Sequence, residues 1–397
     1  MNRENLHIPH LADKHFRSAV NLRRTLHKYP ETAFEEHKTA RTLREALKKT
    51  DVRLGRFFAR TGFTGLLKGN PGGRVIALRT DMDALPVHED TGLPFASRIP
   101  GRMHACGHDV HMAVAVGTAR VLSELTSSFR GAVKFIFQPA EEEPPGGAKL
   151  MIEEGVLSSP DVDAILGLHV DPAVPVGKIG IRDGLMMAGV CDVDITVRGV
   201  SGHAARPADT VDAVVTGAAM VQQLQTIISR NFDPLEPAVL TFGKIYGGSA
   251  RNVISDELRL AGTMRSLTTK GMSKMKRLVT RTCKSVAKAS GAKCEIEFID
   301  GYPSLSNSKE INDLVRNASL ELLGKNSVIE IEGPIMAAED FARYLAHVPG
   351  AMFRLGIRNP KLGAVHPWHH KSFRVDEEAI RVGVIVCTKA IVDYLGC

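Results

Sequence analysis

The feature that most constrains the fold is a change of secondary-structure pattern inside the chain. In residues 1–187 compact apolar runs alternate with helical patterns, and this alternation resumes after residue 302. Short apolar runs between helices are typical of buried strands, so the pattern predicts an α/β sheet with helices on both faces. The first part is predicted to contain helices at 13–28, 34–49 and 108–125 and strands at 65–67, 75–78, 133–137 and 164–168.

A different pattern occupies residues 188–302. It predicts, in order, a strand at 190–197, a helix at 212–229, strands at 238–245 and 258–264, a helix at 269–290 and a strand at 294–298. This β-α-β-β-α-β order is that of the ferredoxin-like unit. A length of 397 residues also favours two domains over one core. We therefore predict a large α/β catalytic domain from segments 1–187 and 303–397, and an inserted ferredoxin-like α+β domain at 188–302 with hinges near Ala188 and Tyr302.

The composition is that of a soluble globular protein, with 44% hydrophobic and 24% charged residues. No apolar run is long enough to span a membrane, and residues 1–10 lack the apolar stretch of a secretion signal. The six cysteines are sparse and irregularly spaced, which argues against a disulfide framework. We therefore expect a cytoplasmic protein without a membrane partner.

A formal net charge of +7 raises the question of nucleic-acid binding. Much of the positive charge lies in residues 270–293, where Lys and Arg are interspersed with apolar residues at helical spacing. This pattern is typical of an amphipathic helix with a basic, solvated face. Aromatic residues do not interleave with the charges, so a stacking platform for single strands is not supported. We expect no nucleic-acid partner.

Side chains that could bind a metal follow several of the predicted strands. Cys106 and His108 are two residues apart, and a thiolate and an imidazole at that spacing can close on one divalent ion. Glu141 and Glu142 come shortly after the apolar run 133–137. One carboxylate of such a pair can bind metal while its neighbour transfers protons.

Each of these signals is weak alone. A Cys-x-His pair is often no metal site, paired glutamates after a strand are often solvated surface, and a single histidine such as His169 is often a core or loop residue. Their co-occurrence is more specific, because sites in open α/β sheets gather at the carboxyl ends of strands. The set predicts a metal-activated water and hence a hydrolase.

Asp81 and Asp83 also follow a predicted strand. Two aspartates at this spacing could bind metal, or could hold ligand histidines in the required tautomer. By spacing alone, a polar turn that ends the strand is an equally good interpretation.

Ten motifs together resemble the metal-dependent aminoacylase/carboxypeptidase family. The resemblance is closest to its amidohydrolase branch, which includes hippurate hydrolase, N-acetyldiaminopimelate deacetylase and the indole-acetyl-amino-acid hydrolases. The motifs occur in the family's order over nearly the whole chain, at 27–31, 81–86, 104–109, 138–142, 167–169, 199–205, 251–254, 262–265, 338–341 and 369–370.

The resemblance implies two divalent metal ions, with zinc expected and manganese or cobalt as alternatives. Cys106 would bridge the two ions, His108 and His169 would complete one, and Glu142 and His369 would complete the other. Glu141 would be the general base and acid. At the C-terminal position His370 and His366 stay open as alternatives to His369, which fits best the family's pattern of a histidine followed by an aromatic residue four positions later.

The resemblance also assigns roles outside the ligand set. His203 would stabilise the oxyanion, and Asn252 or Arg265 would bind the substrate α-carboxylate from an inserted lid that also forms a homodimer or a higher homo-oligomer. Glu339, with Asp81 and Asp83, would support the metal ligands from behind.

The expected activity is hydrolysis of the amide bond of small N-acyl-L-amino acids. A dipeptidase or metallocarboxypeptidase is the alternative within the same chemistry. A metal-binding protein without turnover and a basic-surface RNA binder are alternatives of a different class. The complete ligand set with the glutamate pair argues against a metal-binding protein without turnover. An RNA binder would show a steep salt dependence of binding.

Overall fold

The computed structural model describes residues 7–396, and helices and strands alternate along them. The helices are α1 (Ile8–Lys28), α2 (His37–Leu47), α3 (His108–Ser123), α4 (Gly147–Glu153), α5 (Ala213–Asn231), α6 (Thr269–Ala289), α7 (Lys309–Leu323), α8 (Ala342–Leu345) and α9 (Glu378–Leu395). The strands are β1 (Arg53–Phe58), β2 (Gly62–Lys68), β3 (Asn70–Asp81), β4 (Arg130–Gln138), β5 (Ala164–Pro175), β6 (Ile179–Ile181), β7 (Gly184–Met187), β8 (Gly189–Arg198), β9 (Gly202–His203), β10 (Ala238–Gly247), β11 (Val253–Ile254), β12 (Glu257–Ser266), β13 (Lys293–Asp300), β14 (Leu305–Asn307), β15 (Val328–Glu330) and β16 (Gly350–Arg358).

The chain divides into two units. The first, called unit 1, runs up to Gly184 and continues through Ser306–Gly333 and from Asp340 onward. The second, called unit 2, comprises Leu185–Leu305 and Pro334–Glu339. The short segment Pro334–Glu339 has no counterpart in the sequence pattern, since its place in unit 2 depends on contacts that are distant along the chain.

Unit 1 is built on an eight-stranded mixed sheet in the order β1-β2-β4-β3-β5-β16-β6-β15. The central strands β4, β3, β5 and β16 are parallel to one another. The last residues of β3 and β4 and nearly all of β5 and β16 are buried, as expected when helices cover a parallel sheet. This architecture confirms the predicted α/β class.

Three helices of unit 1 pack against one another beside the sheet: α1, α3 and α9. Nearly every residue of α3 and α9 is buried, because helices that are apolar on all sides are placed inside a protein. Together with the sheet they form the main hydrophobic core of unit 1.

Several predicted elements are longer in the structure than the sequence pattern indicated, and α1 and β3 are two examples. Helix α1 begins at Ile8 rather than at residue 13, since a proline in the first turn is compatible with a helix. Strand β3 begins at Asn70 rather than at residue 75, and its first residues are exposed. Apolar periodicity misses the exposed start of β3, whereas the missed start of α1 includes the buried residues Ile8 and Ala12.

Unit 2 contains a four-stranded antiparallel sheet in the order β10-β12-β8-β13. With α5 and α6 the chain order is β-α-β-β-α-β, that of the ferredoxin-like unit. Both helices begin at side-chain caps, since the Asp212 carboxylate accepts from two backbone amides and the Thr268 hydroxyl accepts from Gly271 N. The apolar sides of the helices and sheet form a separate core.

Within residues 7–396, no helix combines the length and the apolarity needed to cross a bilayer.

The tight packing of α3 against α9 gives a test of the unit 1 core. A Cβ atom on Gly117 would lie 2.6 Å from Val384 Cγ2 and 3.8 Å from Ala19 Cβ. Gly117→Val should therefore lower the free energy of unfolding by about 1–3 kcal/mol, the usual cost of overpacking a core. Val384→Ala in the same chain should recover part of this loss. Urea unfolding of the two single variants and the double variant measures the coupling, and strictly additive losses would contradict the packing contact.

Candidate metal centre

The candidate ligands of unit 1 lie around the carboxyl ends of its parallel strands. Asp81 ends β3, the pair Glu141–Glu142 follows β4, and His169 lies in β5. His108 is the first residue of α3, directly after Cys106 and Gly107. Parallel strands present their carboxyl ends at one edge of the sheet, and this brings residues from distant parts of the chain together.

The five predicted ligands form two three-residue clusters that share one sulfur. Cys106, His108 and His169 form the first cluster, and Cys106, Glu142 and His369 form the second. Within each cluster the ligand atoms lie within 4.8 Å of one another. The resemblance implied the same grouping, in which Cys106 would bridge two ions, and these ligand roles stay predictions.

The hydrogen bonds of the two buried ligand histidines, His108 and His169, use Nδ1 and leave Nε2 of each ring available. His108 Nδ1 donates to the Asp83 carbonyl at 2.9 Å, and His169 Nδ1 donates to the Val170 carbonyl at 2.8 Å. In the neutral ring, each Nε2 atom therefore carries a lone pair. His108 Nε2 is buried and has no hydrogen-bond partner within residues 7–396, while His169 Nε2 lies 3.4 Å from Cys106 Sγ. Imidazole nitrogens held in this way are typical metal ligands.

Electrostatics also favours cations at this position. Burial, and then the charges of Glu142 and Glu141, raise the pKa of the Cys106 thiol well above its usual value. Burial alone would lower the pKa of His108, but the neighbouring carboxylates of Asp81, Asp83 and Glu142 outweigh it and raise the pKa to about 10. The cluster is rich in buried acidic groups, so divalent cations would be strongly stabilised there. The sulfur, nitrogen and oxygen donors fit a borderline-soft ion such as zinc.

The three C-terminal histidines differ in their surroundings. His369 has a left-handed backbone with φ of 65°, and its amide donates to the Ala105 carbonyl at 2.9 Å. Its Nε2 lies 3.3 Å from Glu142 Oε1. The rings of His366 and His370 instead stack on each other with centroids 4.5 Å apart, and His370 Nδ1 accepts from the Ser372 amide. The geometry therefore favours His369 over the two alternatives.

His111 is a functional candidate that the sequence reasoning missed. Its Nδ1 donates to Asp81 Oδ1 at 2.7 Å, and its Nε2 accepts from the Val170 amide at 2.9 Å. Both ring nitrogens are thus used, so His111 supports the site without an atom left for a metal. Its spacing of three residues from His108 on one helix face was the signal that could have identified it.

The two predicted supporting aspartates, Asp81 and Asp83, contact different residues of the site. Asp83 supports His108 through its backbone carbonyl, and its carboxylate accepts from the Glu142 amide at 2.9 Å. Asp81 contacts His111 and also pairs with Arg79 at 2.8 Å. These contacts agree with a supporting role for both residues, although Asp81 reaches a histidine that was not among the predicted ligands.

A buried polar network lies behind the site. Arg79 bridges Asp81 and Asp340, with N–O distances of 2.8 and 2.7 Å, and Gln138 donates to Asp340 at 2.7 Å. Arg79 is 2% exposed and Asp340 is fully buried. The guanidinium compensates two buried carboxylates, and the pairing fixes the ends of β3 and β4, from which the site residues extend.

The backbone that carries the glutamate pair is held by a second buried carboxylate. Ala140, which precedes Glu141, has φ of 50° and its amide donates to Glu36 Oε1 at 2.9 Å. The Thr61 hydroxyl donates to the other Glu36 oxygen at 2.6 Å. A non-glycine residue in the left-handed region is strained, so these bonds help to orient Glu141, which is 6% exposed.

The remaining predicted site residues belong to unit 2. His203 and Asn252 lie in neighbouring segments of unit 2. Strand β9 pairs with β11, and the Ala204 amide donates to the Asn252 carbonyl at 3.1 Å. Arg265 lies on β12. Glu339 is buried at the end of the short segment Pro334–Glu339. The roles of these four residues stay predictions.

Glu36 gives a test of the electrostatics. Burial, and then the charge of Asp83, raise the pKa of Glu36 from 4.5 to about 7. The folded state therefore holds this proton more tightly than the unfolded chain, and stability falls as pH rises from about 4.5 to about 7. In metal-free protein, Glu36→Gln should reduce this fall by up to about 3 kcal/mol.

The measurement is urea unfolding between about pH 5 and 8 for the wild type and the variant. Glu35→Gln is the matched control, since the Glu35 side chain is 56% exposed. Parallel pH curves for Glu36→Gln and the wild type would show that the pKa of Glu36 is not raised.

Comparison with known proteins places the chain in a family. Residues 77–393 match the sequence profile described as peptidase family M20/M25/M40. An N-acetyl-L-cysteine deacetylase of Bacillus subtilis is 39% identical over 361 residues, which cover 91% of this chain and 84% of the relative. Thermostable carboxypeptidase 1 of Saccharolobus solfataricus is 37% identical over 369 residues, which cover 92% of each chain.

A solved structure of a dinuclear metal-binding peptidase of the M20 family from Bacillus subtilis aligns with a TM-score of 0.84 and 32% identity, and covers 96% of this chain and 99% of its own. These findings confirm the predicted resemblance. The family profile matches most of the chain, and relatives more than 30% identical to it cover about nine-tenths of its length. The chain therefore belongs to peptidase family M20/M25/M40.

Proposed function

We propose that the protein is a metal-dependent amidohydrolase that cleaves N-acyl-L-amino acids into a carboxylic acid and a free amino acid. The observation that carries the proposal is the pair of ligand clusters sharing Cys106, beside a buried Glu141 whose carboxylate lies within 4.8 Å of the ligand atoms of His108 and Glu142. The relative from Bacillus subtilis named as an N-acetyl-L-cysteine deacetylase supports this substrate class.

The donor sets support two divalent ions per subunit. Cys106, His108 and His169 would hold one ion, and Cys106, Glu142 and His369 the other. We propose zinc, because thiolate and imidazole ligands suit it, with manganese or cobalt as alternatives. When bound, such ions supply Lewis acidity to the reacting carbonyl and to water.

Proton transfer falls to Glu141 in this proposal. Its carboxylate would accept a proton from the attacking water and then deliver it to the leaving amine, so the same group acts first as base and then as acid. Adjacent Glu142 would keep its charge as a ligand. The fixed backbone at Ala140 supports this division, because it orients two consecutive carboxylates separately.

The roles in unit 2 rest on the motif positions. We propose that His203 donates a hydrogen bond to the developing oxyanion, and that Asn252 and Arg265 bind the substrate α-carboxylate, a group that suits an arginine fork. Glu339 would support the ligands. We also propose a homodimer in the cytoplasm, and the free cysteines among the described residues support a reducing compartment.

A carboxypeptidase or dipeptidase activity is the second candidate. The relative from Saccharolobus solfataricus named as a carboxypeptidase supports it. The same ligand clusters would serve either reaction, so the acyl group that the enzyme accepts is what separates the two candidates.

A substrate panel on protein of measured metal content tests the proposal. N-acetyl-, N-benzoyl- and indole-acetyl-amino acids should be hydrolysed faster than dipeptides, and chelation should abolish turnover. Replacing the α-carboxylate by an amide should cost about 2 kcal/mol or more in kcat/KM, because a charge-assisted hydrogen bond is lost. Faster turnover of dipeptides would favour the second candidate, and equal turnover of the amide would exclude carboxylate recognition.

The glutamate pair provides matched variants with separate expected phenotypes. Glu141→Gln should keep both ions and lose on the order of 10²–10⁴ in kcat, the usual worth of general acid–base catalysis. Glu142→Gln should lose one ion per subunit. Metal analysis and single-turnover kinetics distinguish the two, and exchanged phenotypes would reverse the assignment of the pair.

A further inference from the structure

Trp368 is the one tryptophan of the chain, and it contacts the strand that carries His169. Its indole N–H donates to the Val170 carbonyl at 2.9 Å. Its ring meets that of His169 edge to face, with centroids 5.5 Å apart. The Arg354 guanidinium carbon lies 5.4 Å from the centroid of the Trp368 ring, which is cation–π distance. The next residue is His369.

The Val170 carbonyl is the shared acceptor in this arrangement. It accepts from Trp368 Nε1 and also from His169 Nδ1, at 2.9 and 2.8 Å. The second bond leaves His169 Nε2 facing Cys106 Sγ. One carbonyl oxygen therefore orients a ligand of the first cluster and anchors the residue adjacent to a ligand of the second.

His369 needs such an anchor more than His169 does. His169 lies in β5, whose pairing with β16 places it beside Arg354 in the sheet. His369 lies in an irregular segment with φ of 65°, a conformation that costs a non-glycine residue free energy. The Ala105 carbonyl holds its amide, and the adjacent Trp368 ties the same segment to β5.

We propose that Trp368 is a positioning residue that couples the two halves of the metal centre by holding His369 against the strand that carries His169. The inference rests on the ligand assignment of the proposed function and adds a residue that positions one of the ligands. Trp368 transfers no proton and binds no ion. Loss of the indole N–H should release His369 selectively, because His169 keeps its own bond to Val170 and its place in the sheet.

Zinc release from the loaded enzyme tests the coupling. Wild type, Trp368→Phe and Lys371→Ala are mixed with an excess of a chromophoric chelator, and release of each ion is followed by absorbance. Phenylalanine keeps a six-membered aromatic ring and removes the N–H donor. Lys371 is the matched control, because it lies in the same segment and its exposed side chain pairs with Asp90.

We expect Trp368→Phe to release one ion about 10–100-fold faster than wild type, the usual cost of losing a residue that orients a ligand. The second ion should leave at the wild-type rate, as should both ions of Lys371→Ala. Thermal unfolding of the metal-free proteins measures any loss of packing by itself, and faster release of only one ion separates positioning from such a loss. Wild-type rates for both ions, or equal acceleration of both, would overturn the inference.

Emission of wild-type Trp368 gives a second measurement that needs no variant. Cobalt(II) quenches nearby aromatic emission, so loading metal-depleted enzyme with Co²⁺ should quench Trp368, and removal of the ions should restore its emission. Unchanged emission on loading would overturn the inference. A wild-type protein that retains no metal would overturn the proposed function itself, whereas normal metal content with unaltered release from Trp368→Phe would overturn the inference alone.

Discussion

The interaction on which the site depends is the compensation of buried acidic groups at the carboxyl ends of the central strands. A buried charge is costly unless it is paired. Arg79 compensates Asp81 and Asp340 behind the site. In front of them Cys106 and Glu142 lie near His108, whose buried Nε2 has no hydrogen-bond partner among the described residues, and divalent cations would compensate the acidic groups there. The carboxylates behind the site are thus neutralised by a protein guanidinium, whereas the groups in front of them suit metal ions.

Backbone conformation is the second constraint. Three residues next to or within the ligand set have positive φ: Gly107 at 88°, Ala140 at 50° and His369 at 65°. A Cβ on Gly107 would lie 2.5 Å from Val170 Cγ2, so only glycine fits between Cys106 and His108. At the other two positions hydrogen bonds to Glu36 and Ala105 offset the strain. Strain of this kind is tolerated where it orients functional groups.

Val170 connects several of these features. Its carbonyl accepts from His169 and Trp368, its amide donates to His111, and its side chain contacts Gly107. One apolar residue thus links the strand that carries a candidate ligand with the helix start and with the segment before α9. Such a residue has no chemical signature in a sequence, because its contribution comes from its backbone position.

The sequence by itself determined the α/β class, the family and the five candidate ligands, because apolar periodicity and short polar motifs are local properties. It also paired the candidates into two clusters through the family resemblance. It did not indicate His111, Glu36, Arg79 or Trp368, whose contacts join residues far apart in the chain. Which of three C-terminal histidines faces Glu142 was likewise decided only by the tertiary structure. The physical reason is that sequence patterns report which side chains are available, whereas hydrogen-bond geometry depends on strands and loops brought together by folding.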